Sequence, residues 1–238
     1  MHYQLSAQEK ERLVKAVNNV LSIPFIDDLE DFIWEAVFSY AKGLTLIDPL
    51  ISIRSKRLFD VVDEKTKIGW SAKAVQWPIK IPGSLELVIQ RADIFKKAEA
   101  LGFPPLDKNS DPNLLGKALM KHWINEKVIK DAEHQGITDK RVCILIKSRN
   151  RKKFVYLEES LTEYSSDDIQ WRWSDDTKTG LQGTKKKDGS LVFRWYPNQK
   201  QLFERFTIPE DSFVFELDPK RMSMSDAIEV LFKDRDNS

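Results

Sequence analysis

The chain has 238 residues, 41% of them hydrophobic, enough to bury a core as one large domain or two small ones. Its 38 basic and 37 acidic residues leave a formal charge of +1, which excludes a polybasic arm or an acidic tail. No apolar run approaches the roughly 20 residues of a membrane span, and a single Cys143 with only His2, His122 and His134 excludes a disulfide framework or a thiolate zinc cluster.

The start Met1-His2-Tyr3-Gln4 lacks the basic-then-apolar pattern of a signal peptide, so the expectation is a soluble, cytoplasmic protein whose metal ligands, if any, are carboxylates. Ser6 with Glu9 has capping-box spacing and opens a helix carrying Leu13, Val14, Val17 and Val20 to about Leu21. A second helix follows Asp27-Asp28, with Leu29, Phe32, Ile33, Ala36, Val37 and Tyr40 as its apolar face, and stops at Gly43. The period then changes to that of strands, at Leu50–Arg54, Arg57–Asp63 and Ile68–Val75, with an interruption at Asp48-Pro49. Past Pro82-Gly83, Ser84 caps an expected helix from Leu85 to about Leu101, and Asp111 caps another from Pro112 to about His134. Arg141–Ile146 reads as a strand buried on both faces. From Ser148 onward short strands alternate with turns, at 154–157, 170–174, 180–185, 191–196 and 212–216, before a final helix after Ser225.

The hairpin of Arg57–Asp63 and Ile68–Val75 separates two faces. If Asp63 pairs with Ile68, Asp60 lies opposite Ser71, and Phe59, Val61, Ile68, Trp70, Ala72 and Ala74 share a core face. Asp60, Ser71 and Lys73 fall on the other face, with Lys73 about 7–8 Å diagonally from Asp60 along the backbone. A one-residue slip would bury Asp60 and Lys73, which favours this register. A carboxylate and an ammonium so placed form either a cross-strand salt bridge on a solvated face, worth about 0–1 kcal/mol, or a metal-dependent phosphodiester site.

On these residues the chain resembles the PD-(D/E)xK nuclease superfamily, which holds most type II restriction endonucleases. Asp60 stands at the family's Asp position and Ser71-Ala72-Lys73 where Glu/Asp-x-Lys is found, while Phe59 replaces a frequent proline and Ser71 is not acidic. The resemblance covers roughly residues 28–147. It implies a mixed α/β (α+β) fold with a restriction-endonuclease-like αβββαβ core and a β-rich C-terminal extension. Residues 1–147 would hold the helical start and nuclease core, and 148–238 a DNA-recognition part of the same domain. It further implies Mg²⁺-dependent, site-specific cleavage of double-stranded DNA by a homodimer, with a cognate methyltransferase encoded nearby. Asp60 and Glu86 would be metal ligands, Glu86 recruited from the following helix thirteen positions after Lys73. Lys73 would assist the attacking water, the Ser71 carbonyl would help orient the site, and Glu35 would be a further acid near the metal. Glu86 at a helix start also has a plain reading as a residue opposing the macrodipole, and Glu35 as a solvated helix position.

Between 140 and 200, fourteen basic and eight acidic residues give a local net charge of +6 against a remainder of −5. The run Lys147, Arg149, Arg151, Lys152, Lys153 contains no acid. Arg172, Gln182, Lys185, Lys186, Lys187, Arg194, Asn198, Gln199 and Lys200 complete a candidate DNA-binding set, in which Arg or Lys reads guanine, Asn or Gln reads adenine, and phosphate contacts supply affinity. Trp171 and Trp173 share a face suited to packing or to base stacking. The alternatives are a non-catalytic DNA- or RNA-binding protein using this basic, aromatic half, and a protein-interaction domain built on its tryptophans.

Overall fold

The computed structural model describes residues 2–45 and 57–232, so the strand expected at Leu50–Arg54 lies outside the described residues. In chain order the elements are α1 (Ala7–Ser22), α2 (Asp31–Lys42), β1 (Val61–Asp63), β2 (Ile68–Gln76), β3 (Gly83–Arg91) and the single turn α3 (Ile94–Lys97). There follow α4 (Pro112–Met120), a π-helical stretch (Lys121–Ile129), α5 (Lys130–Gln135), β4 (Asp139–Lys147), β5 (Lys153–Ser160), β6 (Ile169–Trp173) and β7 (Leu181–Lys185). The last elements are β8 (Leu191–Tyr196), β9 (Gln201–Ile208), β10 (Phe213–Glu216) and α6 (Met224–Phe232). The class is mixed α and β, with two five-stranded sheets among the described residues. No helix among them is long and apolar enough to cross a membrane.

The chain forms two compact units, each gathered from separated segments. Residues 1–79, 137–161 and 211–238 make the first, and 80–136 with 162–210 the second, so each unit draws on both sides of residue 147.

In the first unit the strand order is β1-β2-β4-β5-β10; β2 and β4 run parallel and the other pairs antiparallel. The capping box forms as the spacing predicts. Ser6 Oγ accepts from the Glu9 amide at 3.2 Å, and Glu9 Oε2 accepts from the Ser6 amide at 2.7 Å. Helix α2 ends where expected, at Gly43 with φ +72°, but its buried face is rotated from the sequence reading. Trp34, Val37, Phe38 and Ala41 are inside, whereas Phe32 and Tyr40 are about half exposed. Positions 34, 37, 38 and 41 follow the i, i+3, i+4, i+7 rule, and this stripe places the bulkier Trp34 against Phe38 and Tyr156. Strand β4 is buried from Val142 to Ile146, as its continuous apolar run predicts.

One buried carboxylate ties this unit together. Glu158 of β5 has no exposed side-chain surface, yet accepts from Tyr156 Oη at 2.6 Å, Trp70 Nε1 at 2.7 Å, Lys42 Nζ at 2.9 Å and Arg141 Nη1 at 2.9 Å. Four donors thus reach its two oxygens, from α2, β2, β4 and β5. Burial pushes the Glu158 carboxyl up, but Lys42 and the bonds from Trp70 and Tyr156 outweigh it, leaving the pKa below the ordinary value. Its neighbour behaves in the opposite sense. Glu159 points to the other side of the strand, where it meets His2 Nδ1 at 3.6 Å, and burial raises its pKa to about 7.

The second unit contains the sheet β3-β9-β8-β7-β6, antiparallel throughout. The helix expected from Leu85 to Leu101 is instead the strand β3 followed by short helical turns. Leu85 and Leu87 are buried and Glu86 between them is not, so the true period is two. The helix from Pro112 forms: Asp111 Oδ1 accepts from the Asn113 and Leu114 amides, and the helical run continues through the π stretch to Gly136. Helix α4 is held on β6 by the Asn113 side chain, which accepts from the Trp171 amide at 2.9 Å, and by Gly116, where a Cβ would lie 2.1 Å from the Trp171 ring. Trp171 and Trp195 are therefore core residues. Strand β9 has no counterpart in the sequence reading.

Glu158→Gln removes the charge shared by Lys42 and Arg141, which keep Glu9 and Asp139 as second partners, and is expected to cost about 2 kcal/mol in urea unfolding at pH 7. Glu159→Gln is expected to act the other way. Because folding raises this pKa from about 4.5 to about 7, wild-type stability falls as pH rises through that window, by at most about 3 kcal/mol. The glutamine variant removes the loss, so its Tm exceeds wild type at pH 8 and equals it near pH 4.

Candidate functional site

The hairpin register is the one parity selects: Val61 pairs with Trp70, Val62 with Gly69 and Asp63 with Ile68. Asp60 extends it, donating its amide to the Trp70 carbonyl at 2.9 Å. Phe59, Val61, Trp70 and Ala72 are buried, and Val61, Trp70 and Ala72 pack in the core with α1 and α2. The opposite face carries the chemistry. Asp60 Oδ2 accepts from the Ala72 amide at 2.9 Å and lies 3.6 Å from Lys73 Nζ. The two side chains are 22% and 33% exposed, accessible to a ligand yet partly desolvated. Ser71, on the same face between them in sequence, is only 3% exposed. Beyond Lys73 the chain leaves this unit and returns as β4, which pairs in parallel so that Lys73 stands beside Ile144. Cys143, opposite Ala72, is fully buried; burial raises its thiol pKa, Glu158 and Asp60 add to the rise, and it offers no ready nucleophile.

The other proposed metal ligands stand on elements other than this hairpin. Glu86 is not in the first turn of a helix but on β3 of the second unit, cross-strand from Arg205. Its Oε2 accepts from Arg194 Nη1 at 3.2 Å and its Oε1 lies 3.8 Å from Arg205 Nη1. Glu35 is half-buried on α2, the helix packed on the Trp70 and Ala72 face of the sheet rather than on that of Lys73. Among the described residues no group of three or more acidic, histidine or cysteine side chains forms.

The basic residues divide by environment. Lys147 is withdrawn from the surface, donating to Asp28 Oδ1 at 2.7 Å and to the Leu29 carbonyl at 2.8 Å with 5% of its side chain exposed; its reading as a phosphate contact is corrected by burial. Arg151 pairs with Asp28, Lys152 with Asp218 and Lys153 with Glu216, while Arg149 is exposed. In the second unit Lys186 and Lys187 are exposed at the tip between β7 and β8, and Lys185 lies over the Tyr164 ring. In the turn between β8 and β9, Asn198 accepts from Lys108, Lys200 pairs with Asp93, and Gln199 is exposed.

Three residues from the candidate set fall into one row. By strand register Arg172 of β6 is opposite Gln182 of β7, Gln182 opposite Arg194 of β8, Arg194 opposite Phe203 of β9, and Phe203 opposite Val88 of β3. Trp171, Leu181, Trp195 and Leu202 point inward from the alternate positions, so the row lies on the open face, flanked by Arg205 and Tyr196. Phe203 and Arg205 are absent from the sequence reading because β9 is. Their signal is the alternation of buried Leu202, Glu204, Phe206 and Ile208 with outward Phe203, Arg205 and Thr207.

The chain matches no protein-family model, no curated protein and no solved structure.

Lys147→Ala removes a buried cation bonded to Asp28 and is expected to lower stability by about 2 kcal/mol in urea unfolding, whereas Lys187→Ala at the exposed tip stays within about 0.5 kcal/mol.

Proposed function

We propose that the chain is a Mg²⁺-dependent endonuclease of the PD-(D/E)xK kind, hydrolysing phosphodiester bonds in double-stranded DNA. The observation that carries this reading is the convergence of Asp60 and Lys73 from adjacent antiparallel strands, followed by a crossover to the buried parallel strand β4. This strand pairing supports the reading, since the resemblance implies a catalytic Asp and Lys on adjacent strands.

The donor set fits a magnesium ion of limited protein ligation. Magnesium is commonly held by one or two carboxylates together with waters and substrate phosphate, and Asp60 supplies one carboxylate with partly open surface. The ion would lower the pKa of a bound water and offset charge on the phosphate. Asp60 is held for that task by the Ala72 amide, which donates to Oδ2 at 2.9 Å. Lys73 Nζ lies beside the carboxylate, where it can orient a water and donate to a phosphate oxygen as negative charge grows. The side chain of Ser71 is buried and takes no direct part. The open row Arg172, Gln182 and Arg194 supports nucleic acid as the partner, because guanidinium and amide groups recognise phosphate and base edges. A homodimer matching a two-fold DNA site is part of the same reading.

A second reading, a non-catalytic nucleic-acid-binding protein, is favoured by Ser71 in place of an acid and by the engagement of Glu86 with two arginines. Plasmid DNA incubated with Mg²⁺ or with chelator separates them. The expected result is metal-dependent cleavage, reduced at least about 100-fold in Lys73→Ala and Asp60→Asn, with urea midpoints close to wild type because the pair is a partly exposed ion pair. DNA left intact by wild-type protein that still binds it would leave the second reading standing.

A further inference from the structure

Glu86 engages two arginines on one sheet face. Its carboxylate lies against two guanidinium groups on the open face of the second sheet, Arg194 Nη1 at 3.2 Å and Arg205 Nη1 at 3.8 Å. Arg205 is braced through Nη2, which donates to Ser84 Oγ at 2.7 Å, and Arg194 through Nη1, which also donates to Tyr196 Oη at 3.4 Å. Arg194 Nε is buried and finds no acceptor among the described residues. Strand alternation puts Arg172, Arg194 and Arg205 on this face against the single carboxylate of Glu86, so a net positive charge remains. Beside the arginines, Phe203 and Tyr196 meet edge to face at 5.5 Å and are partly exposed.

We propose that Arg194 and Arg205 form a seat for a backbone phosphate of DNA, which Glu86 fills in the free protein as an internal competitor. A carboxylate and a backbone phosphodiester both accept from guanidinium forks, each with a single negative charge spread over two oxygens. Five strands at about 4.8 Å spacing span close to 19 Å, wider than the roughly 12 Å major groove, so this face meets the sugar-phosphate backbone rather than entering a groove. The Lys185–Lys187 tip, a two-stranded ribbon, is the part of the unit narrow enough to do so. Glu86 holds the seat partly closed, weakening general affinity for DNA and sparing the arginines from mutual repulsion when no DNA is bound. The inference rests on DNA being the partner and does not depend on cleavage.

The test is fluorescence anisotropy of the full chain with a labelled 25-base-pair duplex in chelator, over a series of salt concentrations. Glu86→Gln is expected to tighten binding about 5- to 10-fold and to steepen the dependence of log K on log salt by about one unit, for one further phosphate engaged. Adding Arg194→Ala and Arg205→Ala to Glu86→Gln should abolish the gain, and each arginine change alone should weaken wild-type binding several-fold. Circular dichroism of each variant separates loss of fold from loss of affinity, and the single arginine changes test the seat even if Glu86→Gln folds poorly. Unchanged or weaker binding by folded Glu86→Gln overturns the proposal. Loss of magnesium-dependent cleavage in that variant with unchanged DNA affinity would overturn it too and return Glu86 to the metal. Tighter binding by Glu86→Gln in a protein that never cuts DNA would support the seat while removing the nuclease reading.

Discussion

The first unit depends on the desolvation of one carboxylate. Glu158 gives up hydration completely, and an ion so buried is tolerable only if its lone pairs are filled. They are filled from four elements, which sets the rotation of α2 through Lys42 and the lateral position of β2 through the Trp70 indole. The rotation of α2 is the one that buries Trp34, Phe38 and Ala41. The position of β2 is the one from which Trp70 points into the core, so that Ser71 and Lys73 must turn away from it. A network built to satisfy a buried charge thus decides which face of the hairpin Lys73 occupies.

Glu158 and Glu159 show how far one residue of strand register matters. Alternation sends the first into a lattice of donors and the second toward a desolvated position beside His2. The same residue type one position apart therefore has its pKa moved in opposite directions. Their stability contributions oppose each other with pH, because ionised Glu158 favours the folded state and ionised Glu159 disfavours it.

The near-neutral chain places many of its charges in pairs. In the basic run after β4, Lys147 is buried on Asp28, and Arg151, Lys152 and Lys153 meet acids of the same unit. In the second unit, by contrast, two arginines of the open sheet face, Arg194 and Arg205, share one carboxylate. Clustered charge in sequence is thus largely cancelled by the fold, while cations scattered over β6, β8 and β9 are brought together. A row of side chains across antiparallel strands collects residues far apart in the chain, and no local window contains it.

What the sequence by itself determined is local: the capping box of α1, the Asp111 cap, the stop at Gly43, the buried strand β4, and the Asp60–Lys73 hairpin, where alternation at period two admits one register. Short-range steric and hydrogen-bonding rules suffice for these. The segment at Glu86 reads two ways because Leu85, Val88, Ile89 and Ala92 also satisfy a helical stripe. Pairing with β9 from more than a hundred residues away made it a strand. Tertiary structure alone decided the partners of Glu86 and Lys147, the inward face of α2 and the arginine row. Each of these depends on which distant groups can replace lost water around a charge or fill space in a core, and that is a property of the assembled sheets.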